Sequence, residues 1–202
     1  MKKILMIINR FPPASTASVH RAIRFIRYLT EMGWDISVIT LQEEYYSHNN
    51  ILIDEELNKK IPESVKIYRT KTIRRFVPEI PDGEIGWLID AFRVAKRLFA
   101  GNKFDIIYST APPWSTHLIA CLVKKYTKCP LVVDFRDPWS RSPWAYLKRN
   151  FWQNRFNRWF EKLVVEYADA VVVVTEPMKE DILEYYGKEV RDKVEVIHNG
   201  ID

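Results

Sequence analysis

The chain has 202 residues, 47% of them hydrophobic and 13% aromatic, which is enough apolar material for one large α/β core or two small ones and excludes disorder as a description of the whole. Its 31 Lys and Arg against 26 Asp and Glu leave a net charge of +5, which suits anionic partners without choosing among nucleic acid, phospholipid headgroup and nucleotide sugar. Two cysteines, Cys121 and Cys129, fall outside any CxxC spacing, so a disulfide framework and a structural zinc site lack support and a reducing cytoplasm fits. The start Met1-Lys2-Lys3 begins like a signal peptide. The apolar run Ile4 to Ile8 stops at Asn9-Arg10, however, short of the ~7–15 residues of a signal core, and reads as a buried strand. No window approaches the ~20 apolar residues of a spanning helix, so any membrane contact would be peripheral, at the inner face.

Short β-branched runs then alternate with amphipathic stretches, the pattern of a mostly parallel sheet covered by helices on both faces. The strands predicted are 3–9, 35–41, 65–69, 105–109, 130–135, 170–174 and 193–197. Val19, Ala22, Ile23, Ile26 and Leu29 repeat at helical spacing, with Ser18 as cap and Gly33 closing the end in the left-handed conformation. The stretch 42–64 has weak periodicity and reads as a mobile insertion or helical linker. Further helices follow from Trp87, Leu88, Ala91, Val94, Ala95 and Leu98, and from Leu118, Ile119, Leu122 and Val123. Pro177 suits a first helical turn and Gly187 its stop. The longest helical candidate is 145–167.

Ligands of an open parallel sheet bind beyond the carboxyl ends of its strands, so the residues after each strand form one surface. That surface would gather Asn9 to Pro13, Ser109 to Trp114, Arg136 to Trp139, Thr175-Glu176 and His198-Asn199-Gly200. Prolines and aromatic rings together make stiff walls of low conformational entropy, suited to stacking on a sugar. For any single segment the plainer reading holds, in which Pro ends a strand and Trp fills the core; convergence of five segments on one edge favours a site. The candidate cleft residues are Phe11, Pro12, Ser15, Thr16, His20, Thr110, Pro112, Trp114, Trp139 and Asn199. Arg136 and Asp137 are the candidates for chemistry, since a guanidinium offers forked donors to phosphate or carboxylate and a carboxylate can orient a hydroxyl. A local ion pair between them is the structural alternative. No GxGxxG follows the first strand and no GxxxxGK[ST] occurs, so dinucleotide enzymes and P-loop NTPases lack their phosphate cradle. Ser15, Thr16 and Ser18 could receive a phosphate at a helix start or simply cap it.

Taken in order, these pieces resemble glycosyltransferase family 4, a group of retaining GT-B enzymes. The resemblance runs through Lys3-Ile-Leu-Met-Ile, Phe11-Pro12-Pro13, Gly33-Trp34-Asp35 and Phe104-Asp105-Ile106-Ile107-Tyr108-Ser109. It continues through Ala111-Pro112-Pro113, Asp134-Phe135-Arg136-Asp137-Pro138-Trp139, Ala168-Asp169-Ala170-Val171 and His198-Asn199-Gly200-Ile201-Asp202. It implies that residues 1–202 are the Rossmann-like, acceptor-side domain, that a donor-binding second domain is its partner, and that this second domain is absent from the chain. It further implies a nucleotide-sugar donor as substrate of the full enzyme, with no cofactor held by this domain alone. The acceptor would be a saccharide or lipid-linked group, and the setting cell-surface polysaccharide synthesis. Many relatives carry His-Asp after the fifth strand where this chain has Arg136-Asp137, and Gly-Gly in the first loop where it has Ala14-Ser15-Thr16-Ala17. The Glu-x7-Glu signature belongs to the second domain; Glu176/Glu184 and Glu55/Glu63 match it by chance.

No two of His20, His48, His117 and His198 have a metal-ligand spacing. The segment 145–167 interleaves Lys148, Arg149, Arg155, Arg158 and Lys162 with Trp144, Tyr146, Phe151, Trp152, Phe156, Trp159 and Phe160. Such a helix can lie in a membrane interface, but the expectation adopted is a core helix whose aromatic stripe packs on the sheet. A non-catalytic binding module is the rival to a transferase. Nucleic-acid binding has no recognisable module behind it.

Overall fold

The computed structural model describes residues 1–73, 80–142 and 149–200. Its strands are β1 (Lys3–Ile8), β2 (Asp35–Leu41), β3 (Lys66–Thr70), β4 (Ile106–Ala111), β5 (Leu131–Phe135), β6 (Ala170–Val173) and β7 (Val194–Val196). They form one sheet in the order β3-β2-β1-β4-β5-β6-β7, every neighbouring pair parallel. The helices are α1 (Ala17–Glu31), α2 (Glu43–His48), α3 (Leu88–Gly101), α4 (Ser115–Thr127), α5 (Phe151–Tyr167) and α6 (Glu176–Tyr186). This is a Rossmann-like doubly wound α/β fold, as the alternation of runs predicts.

Successive strand residues face opposite sides of a sheet, and β1 and β2 are buried at every step after their first residue because both sides are covered. Leu5, Ile7, Ile39 and Ile107 pack with Ala91, Ala95 and Ile119 of α3 and α4. Ile4, Met6, Ile8, Ile36 and Val38 pack on the other side with Ala22 and Ile26 of α1. Helix α1 starts two residues earlier than Ser18 as cap would place it. Thr16 is the N-cap, and no side chain caps the helix; the Thr16 hydroxyl pairs instead with Ser18 Oγ at 2.7 Å. Gly33 and Gly187 take the positive φ values of 81° and 88° that glycine adopts without steric cost.

The stretch 42–64 is helical in part, through α2 and a 3-10 turn at Glu55–Lys60, and though largely exposed it is anchored at buried Tyr45, Tyr46 and Leu57. Tyr46 of α2 is fully buried, and its hydroxyl accepts from the Phe11 amide at 3.2 Å while lying 3.2 Å from the Asn9 carbonyl. Ser15 N donates to Leu52 O at 2.7 Å and Asp54 N to Pro13 O at 2.8 Å. The segment therefore braces the loop that leaves β1.

The largest departure from expectation is α5. Trp144, Tyr146 and Lys148 lie outside the described residues, and the helix begins at Phe151, where Asn150 and Gln153 form a reciprocal capping box. Its buried face carries Asn154, Asn157, Glu161, Val164 and Val165. Phe151, Trp152, Phe156 and Trp159 are exposed by 71%, 62%, 45% and 56%, so of the described rings in the expected stripe only Phe160, half-buried, packs against the core. The reason is local: Asn157 Oδ1 accepts from Trp139 Nε1 at 2.6 Å and Glu161 Oε2 from Ser140 N at 2.9 Å, and these buried partners choose the inward face. Trp152→Ala should accordingly shift unfolding free energy by less than about 1 kcal/mol. Asn157→Ala should cost about 1–3 kcal/mol by leaving the Trp139 indole N–H buried without an acceptor. Urea unfolding of the two variants checks the order, and a larger loss for Trp152→Ala would contradict it.

Candidate functional site

With all strands parallel, their carboxyl ends share one edge, and the winding changes direction between β1 and β4, the place where open α/β sheets bind ligands. Behind that edge lies a buried polar network. Asp134, on β5 and wholly buried, faces the α1 side of the sheet. It accepts from Arg21 Nε at 3.0 Å and Nη2 at 2.9 Å, from Tyr108 Oη at 2.7 Å and from Thr110 Oγ1 at 2.9 Å. Thr110 pairs in register with Asp134 across β4 and β5, so the strand pairing itself brings hydroxyl and carboxylate together. Burial works against the charge on Arg21, but the hydrogen bonds and charge of Asp134 outweigh it and hold the guanidinium pKa above its ordinary value. Burial, followed by the charge of Asp134, pushes the Tyr108 hydroxyl well up. Arg21 Nη1 reaches on to the His198 carbonyl at 3.2 Å and Asn199 Oδ1 at 3.1 Å, and Arg24 Nη1 donates to Gly200 O. The segment that follows β7 is thus tied to α1.

One residue along, Phe135 faces the opposite side and joins an aromatic cluster. Trp114 and Trp139 stack with ring centroids 5.0 Å apart and planes 5° from parallel, and Phe135 lies 4.8 Å from His117. His117 is fully buried in the first turn of α4, with Nδ1 2.8 Å from Ser109 Oγ. Burial, with a smaller contribution from the positive charge of Arg136, lowers its pKa to about 3.

Above this floor is a cleft of about 350 Å³ lined by Arg10, Asp82, Glu84, Pro112, Pro113, Trp114 and Arg149. Arg136 adjoins it and donates through Nη2 to the Pro112 carbonyl. Burial lowers the pKa of Arg136, with Arg10 adding to the effect through like charge, and burial lowers that of Arg149. Asp82 accepts from the Ser115 and Glu84 amides at 2.9 and 3.0 Å, and burial raises its pKa. Three guanidiniums thus converge on a wall of two prolines and an indole. The side-chain amide of Asn9 and the Nε groups of Arg10 and Arg136 are buried with no hydrogen-bond partner among the described residues.

The expected site residues divide cleanly. Pro112, Trp114 and Arg136 meet at the cleft. Asp137 is exposed at the same edge and forms no ion pair with Arg136. Phe11 and Trp139 have no exposed surface and Pro12 is buried, because the turns after β1 and β5 fold their rings back into the core. Thr110 is engaged by Asp134. Ser15, Thr16 and His20 are half-buried around the start of α1, and Asn199 is exposed, held by Arg21. Sequence reasoning placed Arg10 on this edge without a role, assigned Arg149 to the basic-aromatic helix, and missed Asp82 and the Arg21–Asp134 pair. The available signals were a carboxylate inside the apolar run Leu131 to Phe135 and an arginine beside Val19, Ala22 and Ile23.

The model of Glycosyltransferase Family 4 matches residues 19–202. The chain belongs to that family. It is also 46% identical over 44 residues to alpha-maltose-1-phosphate synthase of Mycolicibacterium smegmatis, a stretch that is 22% of this chain and 11% of that protein. The solved structure of Anabaena HepE in complex with UDP-glucose superposes on the whole chain with TM-score 0.60 at 14% identity, covering 45% of HepE. The catalytic domain of starch synthase IV of Arabidopsis thaliana, bound to ADP and acarbose, gives TM-score 0.61 at 12% identity over the whole chain and 52% of that structure. At such identities the likeness speaks to fold alone. The chain spans about half the length of these structures and corresponds to the Rossmann-like amino-terminal half of a GT-B glycosyltransferase.

The low His117 pKa makes a pH prediction. The folded value, about 3, lies below the unfolded 6.5, so the unfolded chain binds more protons in between. Stability is full above pH 6.5 and falls as the pH drops toward 3, by about 1.4 kcal/mol per unit. Between pH 7 and 5 the wild type should lose about 2 kcal/mol more than His117→Asn in urea unfolding. Equal losses would show that the ring is not held neutral.

Proposed function

We propose that this chain is the acceptor-side half of a retaining glycosyltransferase that moves a sugar from a nucleotide-sugar donor to a saccharide or lipid-linked acceptor, in cell-surface polysaccharide synthesis. Its partner is a donor-binding second domain of the same enzyme, and the domain itself holds no cofactor. Membership of the family supports transfer, and the complexes of HepE with UDP-glucose and of starch synthase IV with ADP support a nucleotide diphosphate on the donor.

The observation that carries the reading is the convergence of Arg10, Arg136 and Arg149 on the Pro112-Pro113-Trp114 wall at the switch point of the sheet. A sugar ring can stack on such a wall while the guanidiniums face an anionic group, either the departing diphosphate or an acidic acceptor. Their charge is partly desolvated, so it acts at lower effective dielectric than in water. Because Arg136 is held by the Pro112 carbonyl and Arg149 by the Trp139 carbonyl at 3.4 Å, these two need little reorganisation as charge develops. Asp137, exposed beside them, can orient an acceptor hydroxyl, and this mechanism asks no side chain to act as a strong base.

The test is turnover in the full transferase, with the 202-residue chain alone as the inactive control, because the second domain supplies the other wall of the site. Arg136→Ala should lower turnover by about 100-fold or more at little cost in thermal stability, Arg136→Lys should recover it poorly for want of the planar fork, and Asp137→Asn should fall between. Unchanged turnover in all three, or robust transfer by the short chain, would remove this reading.

A further inference from the structure

Helix α5 is built inside out. Over its first three turns the buried face holds Asn154, Asn157 and Glu161 and the exposed face holds Phe151, Trp152, Phe156 and Trp159, whereas Val164 and Val165 of its last turns join the core. A helix that served only the core would place these sets the other way round. At 100° per residue, Phe151, Trp152, Phe156 and Trp159 fall within one face of roughly 140°, and Arg155, Arg158 and Lys162 form a stripe along its margin. Over Phe151 to Lys162 the one acidic residue is Glu161. It is buried against the Ser140 amide, and burial raises its pKa. The outer surface of these three turns therefore carries positive charge and aromatic rings, and the first acid on that face is Glu166 of the next turn, 3.6 Å from Lys162. Phe151, Arg155, Phe156, Trp159 and Lys162 also line a groove of about 660 Å³ closed on its far side by Tyr185 of α6.

We propose that this face of α5 docks on an anionic lipid bilayer, its rings entering the headgroup boundary and its basic stripe meeting lipid phosphates. Both features are required by that occupant: large amphipathic rings settle at the interface, and clustered Lys and Arg are drawn to a negative surface. A protein partner would have to supply a matching acidic stripe. The helix is roughly 25 Å long, enough to lie along a membrane surface, and no described helix is long and apolar enough to cross one. Position adds a consequence that rests on the proposed function. Arg149, just ahead of α5, lines the cleft, so docking by the first turns of α5 holds the cleft at the membrane surface, where a lipid-linked acceptor can reach it.

Vesicle sedimentation tests docking apart from any turnover. The chain should bind vesicles of phosphatidylcholine with phosphatidylglycerol roughly tenfold or more tightly than phosphatidylcholine alone, and less tightly as salt rises. Arg155→Glu with Lys162→Glu, and separately Trp152→Ser with Trp159→Ser, should each lose about tenfold with the unfolding midpoint unchanged, whereas Arg155→Lys with Lys162→Arg should bind as the wild type does, because a lipid surface reads charge and not a fork. Equal binding to neutral and anionic vesicles, no binding, or unaltered binding in both loss variants would overturn the proposal. So would a dimer seen by sedimentation velocity that the tryptophan variant dissociates while vesicle binding stays unchanged.

Discussion

The carboxyl edge of the sheet depends on one buried ion pair. Arg21 and Asp134 are 5% and 0% exposed, and burying two charges costs several kcal/mol each unless nearly every donor and acceptor finds a partner. Here they do. The carboxylate accepts two bonds from the guanidinium, one from Tyr108 and one from Thr110, and the remaining guanidinium nitrogen turns to His198 and Asn199. Apolar residues of the same volume could fill this space at less electrostatic cost, but they would not tie α1, β4, β5 and the segment after β7 at one point. The pair exchanges stability for a defined geometry at the end of the sheet.

From that point the alternation of a strand builds the rest of the site. Asp134 faces α1 and Phe135 faces the stacked pair Trp114 and Trp139, which forms the floor. Arg136 then leaves the strand, and its own amide donates to the Ala111 carbonyl at 3.0 Å, holding it beside Pro112. Trp139 is pinned through its indole N–H to Asn157, so the floor also fixes the rotation of α5. The same polar contact that steadies the cleft turns the aromatic face of α5 outward. Site geometry and surface character are thus two results of one packing choice.

Much of the fold was legible in the sequence because it rests on local pattern. β-Branched runs marked each strand to within about two residues, and Pro177, Gly33 and Gly187 marked a start and two ends by backbone preference alone. The edge that bears the cleft followed from the parallel order. What was not legible depends on long-range polar partners. Arg21 and Asp134 are 113 positions apart, and no local rule pairs them. The orientation of α5 failed for the same reason: amphipathic periodicity assigns rings to the core, and only the Trp139 and Ser140 partners reverse it. Trp139 was read as a cleft wall because its segment leaves a strand, but its ring folds back beneath Trp114. Arg10 and Arg149 were read only as part of a strand-end segment and of a basic helix face, because an arginine looks like any solvated charge until the walls around it are known.

A double-mutant cycle on Arg21→Met and Asp134→Asn, followed by urea unfolding at pH 7, bears most directly on whether this edge hangs on the buried pair. If it does, each single change strands a buried partner and costs about 3–5 kcal/mol, and the double change costs clearly less than the two added together. Single losses below about 1 kcal/mol, or simple additivity, would mean that the two side chains are held in place by the fold around them and do not organise it.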